Sequence, residues 1–250
     1  MGELDSVRKG EESNYDVACS RIGDSISLIE ELINLYELLA SMVETSGIPP
    51  TDEVVAPGQF LLMNRYNLTL AALAATRGHI NDSFYFCRKA IEACAFAARI
   101  KRNPKLAMDW VRAVEDASSY EKFREKFSAG KLFPQGHPLL AVLKERYSLC
   151  CKMTHPSIIS FGRHLDVQKE QSQFRVKFDY FQLNDNDPSE PIRTVLFIAD
   201  THLGILRVFE DILALVVNHD RKKWEIYVNA VDAKIGTHKN AWRATIQNEP

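Results

Sequence analysis

Four stretches of the chain carry apolar residues at alternating spacings of three and four, namely 22–43, 84–98, 139–153 and 195–216. Residues at this spacing lie on one side of a helix with 3.6 residues per turn. Each stretch therefore predicts a helix with one apolar face, and four such faces can enclose a common core. Together with the shorter helical segments between them, they predict a mainly α fold, a single-domain helical bundle of seven or eight helices.

One segment follows a different pattern, because apolar and polar residues alternate from Phe174 to Leu183. Alternation with a period of two is typical of a half-buried β-strand. A lone strand is not stable by itself, so either residues 157–165 or a second protomer would have to pair with it. The sequence thus predicts one short β element within the helical fold.

Composition and the positions of the apolar stripes divide the chain into three parts. Residues 1–18 are mostly polar and charged, and we expect a disordered acidic lead-in there. Residues 19–219 hold the four apolar stripes and form the predicted helical bundle domain. Residues 220–250 are predicted to be a helical C-terminal extension.

The first long helix has a second apolar stripe beside its first one. This second stripe consists of Leu28, Leu32, Leu35, Leu39 and Met42. Two adjacent stripes make an apolar face that is too broad for a helix lying alone on a surface. The helix is therefore predicted to pack against two neighbours, or against one neighbour and a second protomer. We expect a homo-oligomer, most simply a dimer.

The net charge of −2 conceals an uneven distribution along the chain. The first 60 residues contain twelve acidic and three basic residues, so the remainder carries an excess of seven positive charges. The simpler interpretation is a solvated acidic helix face. Alternatively, the acidic helix covers a basic surface that could attract a protein or a small anionic ligand. The excess is modest for a nucleic-acid binder, which leaves nucleic acid undecided as a partner.

Cysteine usage and hydropathy bear on the compartment. The five cysteines are odd in number, and Cys87 and Cys94 fall in an apolar stripe, where a reduced thiol behaves as a small hydrophobe. This favours a reducing, cytoplasmic environment. The most apolar stretch, 195–217, includes four charged residues, so no membrane span is predicted.

Several kinds of catalytic and cofactor site are disfavoured by their missing motifs. No histidine has a glutamate three residues before it, and there is no His-Glu-x-x-His, no paired Cys-x-x-Cys and no glycine-rich phosphate loop. The Gly-x-Ser-x-Gly elbow is absent, as is an arginine followed after four to six residues by a histidine, the pattern of many helical ribonucleases. The sequence therefore predicts no metal site and no cofactor.

Six polar or aromatic residues in or beside the stripes remain as binding candidates. They are Arg88, Glu92, Trp110, Arg146, His155 and His202. Arg88 and Glu92 are four residues apart on one helix and can pair directly. An unpaired polar group in an apolar seam is unfavourable, so each of the others needs a partner. Each also has a structural interpretation, and His202 in particular is predicted to be a closed core histidine.

Part of the chain resembles an uncharacterised family of helical bacterial proteins. The resemblance lies in the helix with Arg88 and Glu92, the Asn-Pro helix start at position 103 that is followed by Trp110, and the later His155-Pro156 element. It covers about 70 residues, from 88 to 157. The resemblance implies an all-α fold and a bacterial source, and it implies no activity.

Two classes of function stay open at this point. The favoured one is a binding or regulatory helical module of unknown ligand, which we expect to act in a bacterial stress or phage-defence system. The alternative is a hydrolase or nuclease whose site is assembled from distant helices, with Arg88, Glu92, His155 and His202 in one pocket. Whether the protein is an enzyme is left undecided by the sequence.

Overall fold

The computed structural model describes residues 2–155, 165–170, 173–178, 181 and 189–247. In this part of the chain the fold is mainly α, with eight helices of eight or more residues and one of four, which confirms the predicted class. The helices are α1 Glu3–Thr45, α2 Asp52–Thr76, α3 Ile80–Arg102, α4 Lys105–Arg112, α5 Ala117–Lys126, α6 Pro138–Thr154, α7 Ser189–Ile212, α8 Ala214–Val217 and α9 Arg221–Gln247.

The β element is an antiparallel hairpin of β1 Leu165–Glu170 and β2 Gln173–Phe178. Leu165 pairs with Phe178 at one end of the two strands, and Glu170 pairs with Gln173 at the other end. The strand predicted over 174–183 is therefore present in part, one residue earlier at its start. Its partner lies within the same chain and begins at Leu165, the last residue of the predicted 157–165 segment, of which positions 157–164 lie outside the described residues.

Helix α3 lies in the middle of the bundle, between α2, α6 and α7. Small side chains on several sides of α3 are completely buried, and this allows the neighbouring helices to approach closely. They include Cys87, Ala90, Cys94, Ala95 and Ala97. This central position puts the exposed edge of α3 next to α2 on one side and α6 on the other.

Residues 3–18 are helical and belong to α1, which differs from the predicted disordered lead-in. The helix has one non-helical residue, Ile22, with φ −130° and ψ 24°. Before this kink, the polar residues of α1 bind the connection between α2 and α3: Glu11 Oε1 lies 2.9 Å from His79 Nε2, and Asn14 Nδ2 donates to the Arg77 carbonyl at 3.0 Å. The start of α1 is thus held by polar contacts to residues that are distant in the sequence. The spacing of apolar residues along the chain does not predict such contacts.

Helix α9 packs into the same core as the rest of the bundle, which differs from the predicted extension beyond residue 219. Trp224, Val228, Val231 and Ile235 of α9 are all buried against α1 and α7. Lys234 Nζ also contacts Glu31 Oε1 of α1 at 2.6 Å. The helical prediction for this segment is correct, but its apolar face completes the bundle.

The second stripe of α1 is buried within the chain itself. Leu28, Leu32, Leu35 and Leu39 are at most 3% exposed, because α1 packs against α2, α7 and α9. This confirms that α1 has at least two neighbours. A second protomer is therefore not needed to cover this face.

Candidate functional site

His202 lies in a closed interior position, as predicted from its place in the α7 seam. The residue is 0% exposed, and its Nδ1 shares a hydrogen bond of 2.9 Å with the hydroxyl of Tyr36 on α1. Its Nε2 is buried, and no hydrogen-bond partner for it lies among the described residues. Burial lowers the pKa of His202 to about 3, so the ring is neutral in the folded protein. A neutral ring without solvent access has a structural role.

Arg88 and Glu92 form the predicted pair and are both largely buried. Arg88 Nε donates to Glu92 Oε1 at 3.1 Å, and the exposed fractions of the two side chains are 26% and 17%. The same oxygen accepts from the Tyr147 hydroxyl of α6 at 3.2 Å. Burial and the charge of Glu92 raise the pKa of Tyr147 to about 12, which keeps this donor protonated. Lys89 Nζ lies 3.6 Å from the other oxygen, Glu92 Oε2.

Arg146 belongs to an ion network that joins three helices. Its guanidinium contacts Asp200 of α7, and Lys239 of α9 lies 2.5 Å from the second oxygen of the same carboxylate. All three side chains are between 21% and 31% exposed. The network connects α6, α7 and α9. It gives Arg146, the polar residue of the third stripe, a charged partner.

His155 occupies the C-terminal end of α6. Its backbone N–H donates to the Cys151 carbonyl at 2.9 Å, and its side chain is exposed. Because His202 is closed, the four residues of the hydrolase hypothesis do not share an open pocket. The adjacent Pro156 lies outside the described residues.

Two of the six candidates, Glu92 and Trp110, line the same open groove. We call it the α2–α3 groove; it has a volume of about 340 Å³ and runs between α2 and α3, with α4 at one end. Its wall is largely aromatic and includes Phe60, Met63, Tyr66, Tyr85, Phe86, Phe96 and Trp110. Three polar side chains, Asn67, Lys89 and Glu92, also line it.

The aromatic rings at the base of the groove are held in place by one another. The Trp110 ring lies 4.6 Å from that of Phe60, centroid to centroid, and Phe60 meets Phe96 edge-on at 6.0 Å. Tyr66 and Tyr85, at 65% and 43% exposed, form the outer rim. Rings positioned in this way offer both faces and edges for stacking against a planar ligand.

Three charged side chains lie in or beside the groove. Arg88 and Lys89 contribute two positive charges, and Glu92, which contacts both, contributes one negative charge. Lys89 Nζ also lies 5.7 Å from the centroid of the Tyr85 ring, so its ammonium is already placed over the rim. With 47% of its side chain exposed, Lys89 can reach a ligand in the groove.

Lys89, Tyr66 and Tyr85 are site residues that the sequence pattern did not predict. None of them belongs to one of the four predicted apolar stripes, which contain the positions that face inward. A usable signal was the number of large aromatic residues at exposed positions of two consecutive helices, since such residues in contiguous patches mark binding surfaces.

A larger groove, of about 760 Å³, lies between α1 and α9 and contains none of the six candidates. Lys234 and Glu31, which pair with each other, both line it.

Within the described ranges, no group of three or more histidine, cysteine or acidic side chains is arranged to hold a metal ion. Nor is any described helix long and apolar enough to span a bilayer.

Comparison with known proteins gives no relative: no protein-family model, no curated protein and no solved structure matches this chain. The resemblance to an uncharacterised bacterial family therefore stays a prediction.

Proposed function

We propose that this protein is a non-catalytic binding module whose α2–α3 groove takes a small molecule with an aromatic ring and an anionic group. The observation that carries the proposal is the meeting of Trp110, Tyr66 and Tyr85 with the Lys89 ammonium in one groove. Its volume of about 340 Å³ lies within the range of small-ligand sites.

The two parts of the ligand follow from two parts of the groove. The ring would stack against Trp110 and the exposed rings of Tyr66 and Tyr85, which removes aromatic surface from water. The anionic group would lie towards Lys89, because Arg88 already compensates much of the charge of Glu92. A carboxylate or a phosphate would satisfy this requirement equally well.

The hydrolase or nuclease alternative has less support. A catalytic histidine needs one ring nitrogen that faces the substrate, whereas both nitrogens of His202 are buried.

A cytoplasmic location is part of our proposal, and it is supported by the five cysteines, all of which are free thiols. A role in bacterial stress or phage defence stays a prediction.

The test uses three probes that share a phenylpropyl group and differ only in charge: 3-phenylpropionate, 3-phenylpropanol and 3-phenylpropylamine. Binding to the whole protein is measured at neutral pH by calorimetry and by the change in Trp110 emission, in a Trp224→Phe/Trp242→Phe background checked by circular dichroism. The carboxylate should bind about fivefold more tightly than the alcohol, since one accessible charge contributes about 1 kcal/mol. The amine should bind most weakly.

Two variants locate the effect. Lys89→Met should remove the preference for the carboxylate, while Lys222→Met, at an exposed position of α9, should leave it unchanged. Tighter binding of the amine would assign the groove to a cation, and absence of binding of all three probes at millimolar concentration would overturn the proposed ligand class.

A further inference from the structure

Helix α2 is apolar on both its inner and its outer face. On the inner face, Phe60, Leu68, Ala71 and Ala75 are at most 1% exposed. On the outer face, large apolar residues are exposed to solvent, namely Val55 at 43%, Leu62 at 54%, Met63 at 44% and Tyr66 at 65%. A helix that is apolar all round is typical of one that is covered all round. In the single chain, the described residues leave these four side chains between 43% and 65% exposed.

The outer face has the spacing of a coiled-coil seam. We call it the α2 seam; it consists of Val55, Gln59, Leu62, Tyr66, Thr69 and Leu73. Successive positions are separated by four, three, four, three and four residues, which is the a/d repeat of a coiled coil. At 100° per residue the six positions fall within an arc of about 80°. A seam of this kind packs against another helix.

We infer that the α2 seam is the interface of a homodimer in which the α2 helices of two copies pack antiparallel. The α2 seam is self-complementary, and it can therefore pack against the same seam of a second copy. An antiparallel pair centred on position 64 places Leu62 against Tyr66 of the second copy. The same register places Val55 against Leu73 of the second copy. Each contact occurs twice, as a two-fold interface requires.

The polar positions of the seam fit the same register. Gln59 lies opposite Thr69 of the second copy. The Thr69 hydroxyl donates to the Arg65 carbonyl at 3.2 Å within its own helix, so its lone pairs remain able to accept from the Gln59 amide. A polar pair at one level of an apolar seam selects one register over others.

The charges at the two ends favour the antiparallel arrangement. Helix α2 begins with two acidic residues in its sequence, at positions 52 and 53, and Arg77 follows its last residue. Antiparallel packing brings the acidic end of one α2 beside Arg77 of the other, whereas parallel packing brings like charges together. This complementarity identifies a second copy as the occupant of the seam.

The first experiment measures the mass of the full chain by sedimentation equilibrium at micromolar concentration. The wild-type protein should sediment at twice the chain mass of 28.4 kDa. Leu62→Glu should sediment at the mass of one chain with an unchanged circular dichroism spectrum, because Leu62 is an exposed residue in the single chain. Leu215→Glu is the matched control, since Leu215 on α8 is 64% exposed and lies outside the seam; it should stay dimeric. A monomeric wild type, or a dimeric Leu62→Glu, overturns the inference.

A second experiment tests the seam and its direction with pairs of charges. Leu62→Glu/Tyr66→Glu and Leu62→Lys/Tyr66→Lys should each be monomeric alone and form a heterodimer when mixed. Val55→Glu/Leu73→Lys should remain a dimer in an antiparallel seam, because opposite charges meet, and Val55→Glu/Leu73→Glu should not. If Val55→Glu/Leu73→Lys is monomeric while Val55→Ala/Leu73→Ala is dimeric, the antiparallel register is wrong.

Discussion

Two of the polar pairs that interrupt the apolar packing of this bundle, His202–Tyr36 and Arg88–Glu92, differ in their access to solvent. The first is closed on every side, and its hydrogen bond of 2.9 Å joins α7 to α1. The second lies at the edge of α3 and borders an open aromatic groove. The same kind of sequence feature, a polar residue beside an apolar stripe, thus serves packing in one place and borders a candidate binding site in the other.

The largest expected difference between the two regions is in stability. His202→Ala should lower the free energy of unfolding by about 3–4 kcal/mol, because it leaves a cavity and removes the buried partner of the Tyr36 hydroxyl. Urea denaturation followed by circular dichroism measures this change. A loss below about 1 kcal/mol would contradict the structural role of His202.

The pH dependence of stability should also distinguish the closed region. The pKa of His202 is about 3 in the folded protein and has an ordinary value of 6.5, so between these values the unfolded chain binds a proton that the folded chain does not. Stability attributable to this group is therefore complete above pH 6.5 and falls as the pH falls towards 3, by up to about 1.4 kcal/mol per unit.

Unfolding at pH 6.5 and 4.5 should thus show a loss of about 2–3 kcal/mol in the wild-type protein that is reduced in His202→Gln. Tyr227→Phe, which changes an exposed side chain of α9, serves as a control and should keep the wild-type dependence. Equal pH dependence in His202→Gln and the wild type would show that His202 is not the group responsible.

At the groove, Glu92→Gln should lower stability by less than His202→Ala does, and it should make ligand binding tighter. Loss of the charge weakens the contacts with Arg88 and Tyr147, and we expect about 1–2 kcal/mol of destabilisation for this partly buried cluster. The same change leaves Arg88 and Lys89 uncompensated. Binding of 3-phenylpropionate should therefore become tighter, as calorimetry would reveal, and weaker binding would contradict the proposed position of the anion.

The smallest stability effect is expected at the rim of the groove. Tyr85→Ala should change the free energy of unfolding by no more than about 0.5 kcal/mol, because Tyr85 is 43% exposed. It should nevertheless weaken binding of all three phenylpropyl probes, since it removes part of the aromatic wall. Unchanged binding would exclude the rim from the site.

The part of the candidate site that could be predicted follows from the spacing of residues within one helix. The four-residue separation of Arg88 and Glu92 determines that they can pair, whatever surrounds them. The pattern could not show that Tyr147 completes this pair or that Trp110 lies beside Phe60, because these contacts join helices that are distant in sequence. The seam of α6 illustrates a finer limit: Leu140, at 1% exposed, faces the core, and the predicted Leu139 is 36% exposed. Neighbouring leucines offer no local preference between two rotations of a helix.

By itself, the sequence determined that this is a helical protein, where most helices lie, and that His202 would be enclosed by apolar neighbours. These properties follow from the periodicity of short segments, because burial of an apolar face is the main contribution to helix stability in a folded chain. The tertiary structure alone decided that residues 3–18 extend α1 and that α9 completes the core. It also decided that Lys89, Tyr66 and Trp110 meet in one groove, because packing between distant segments selects which exposed residues become neighbours.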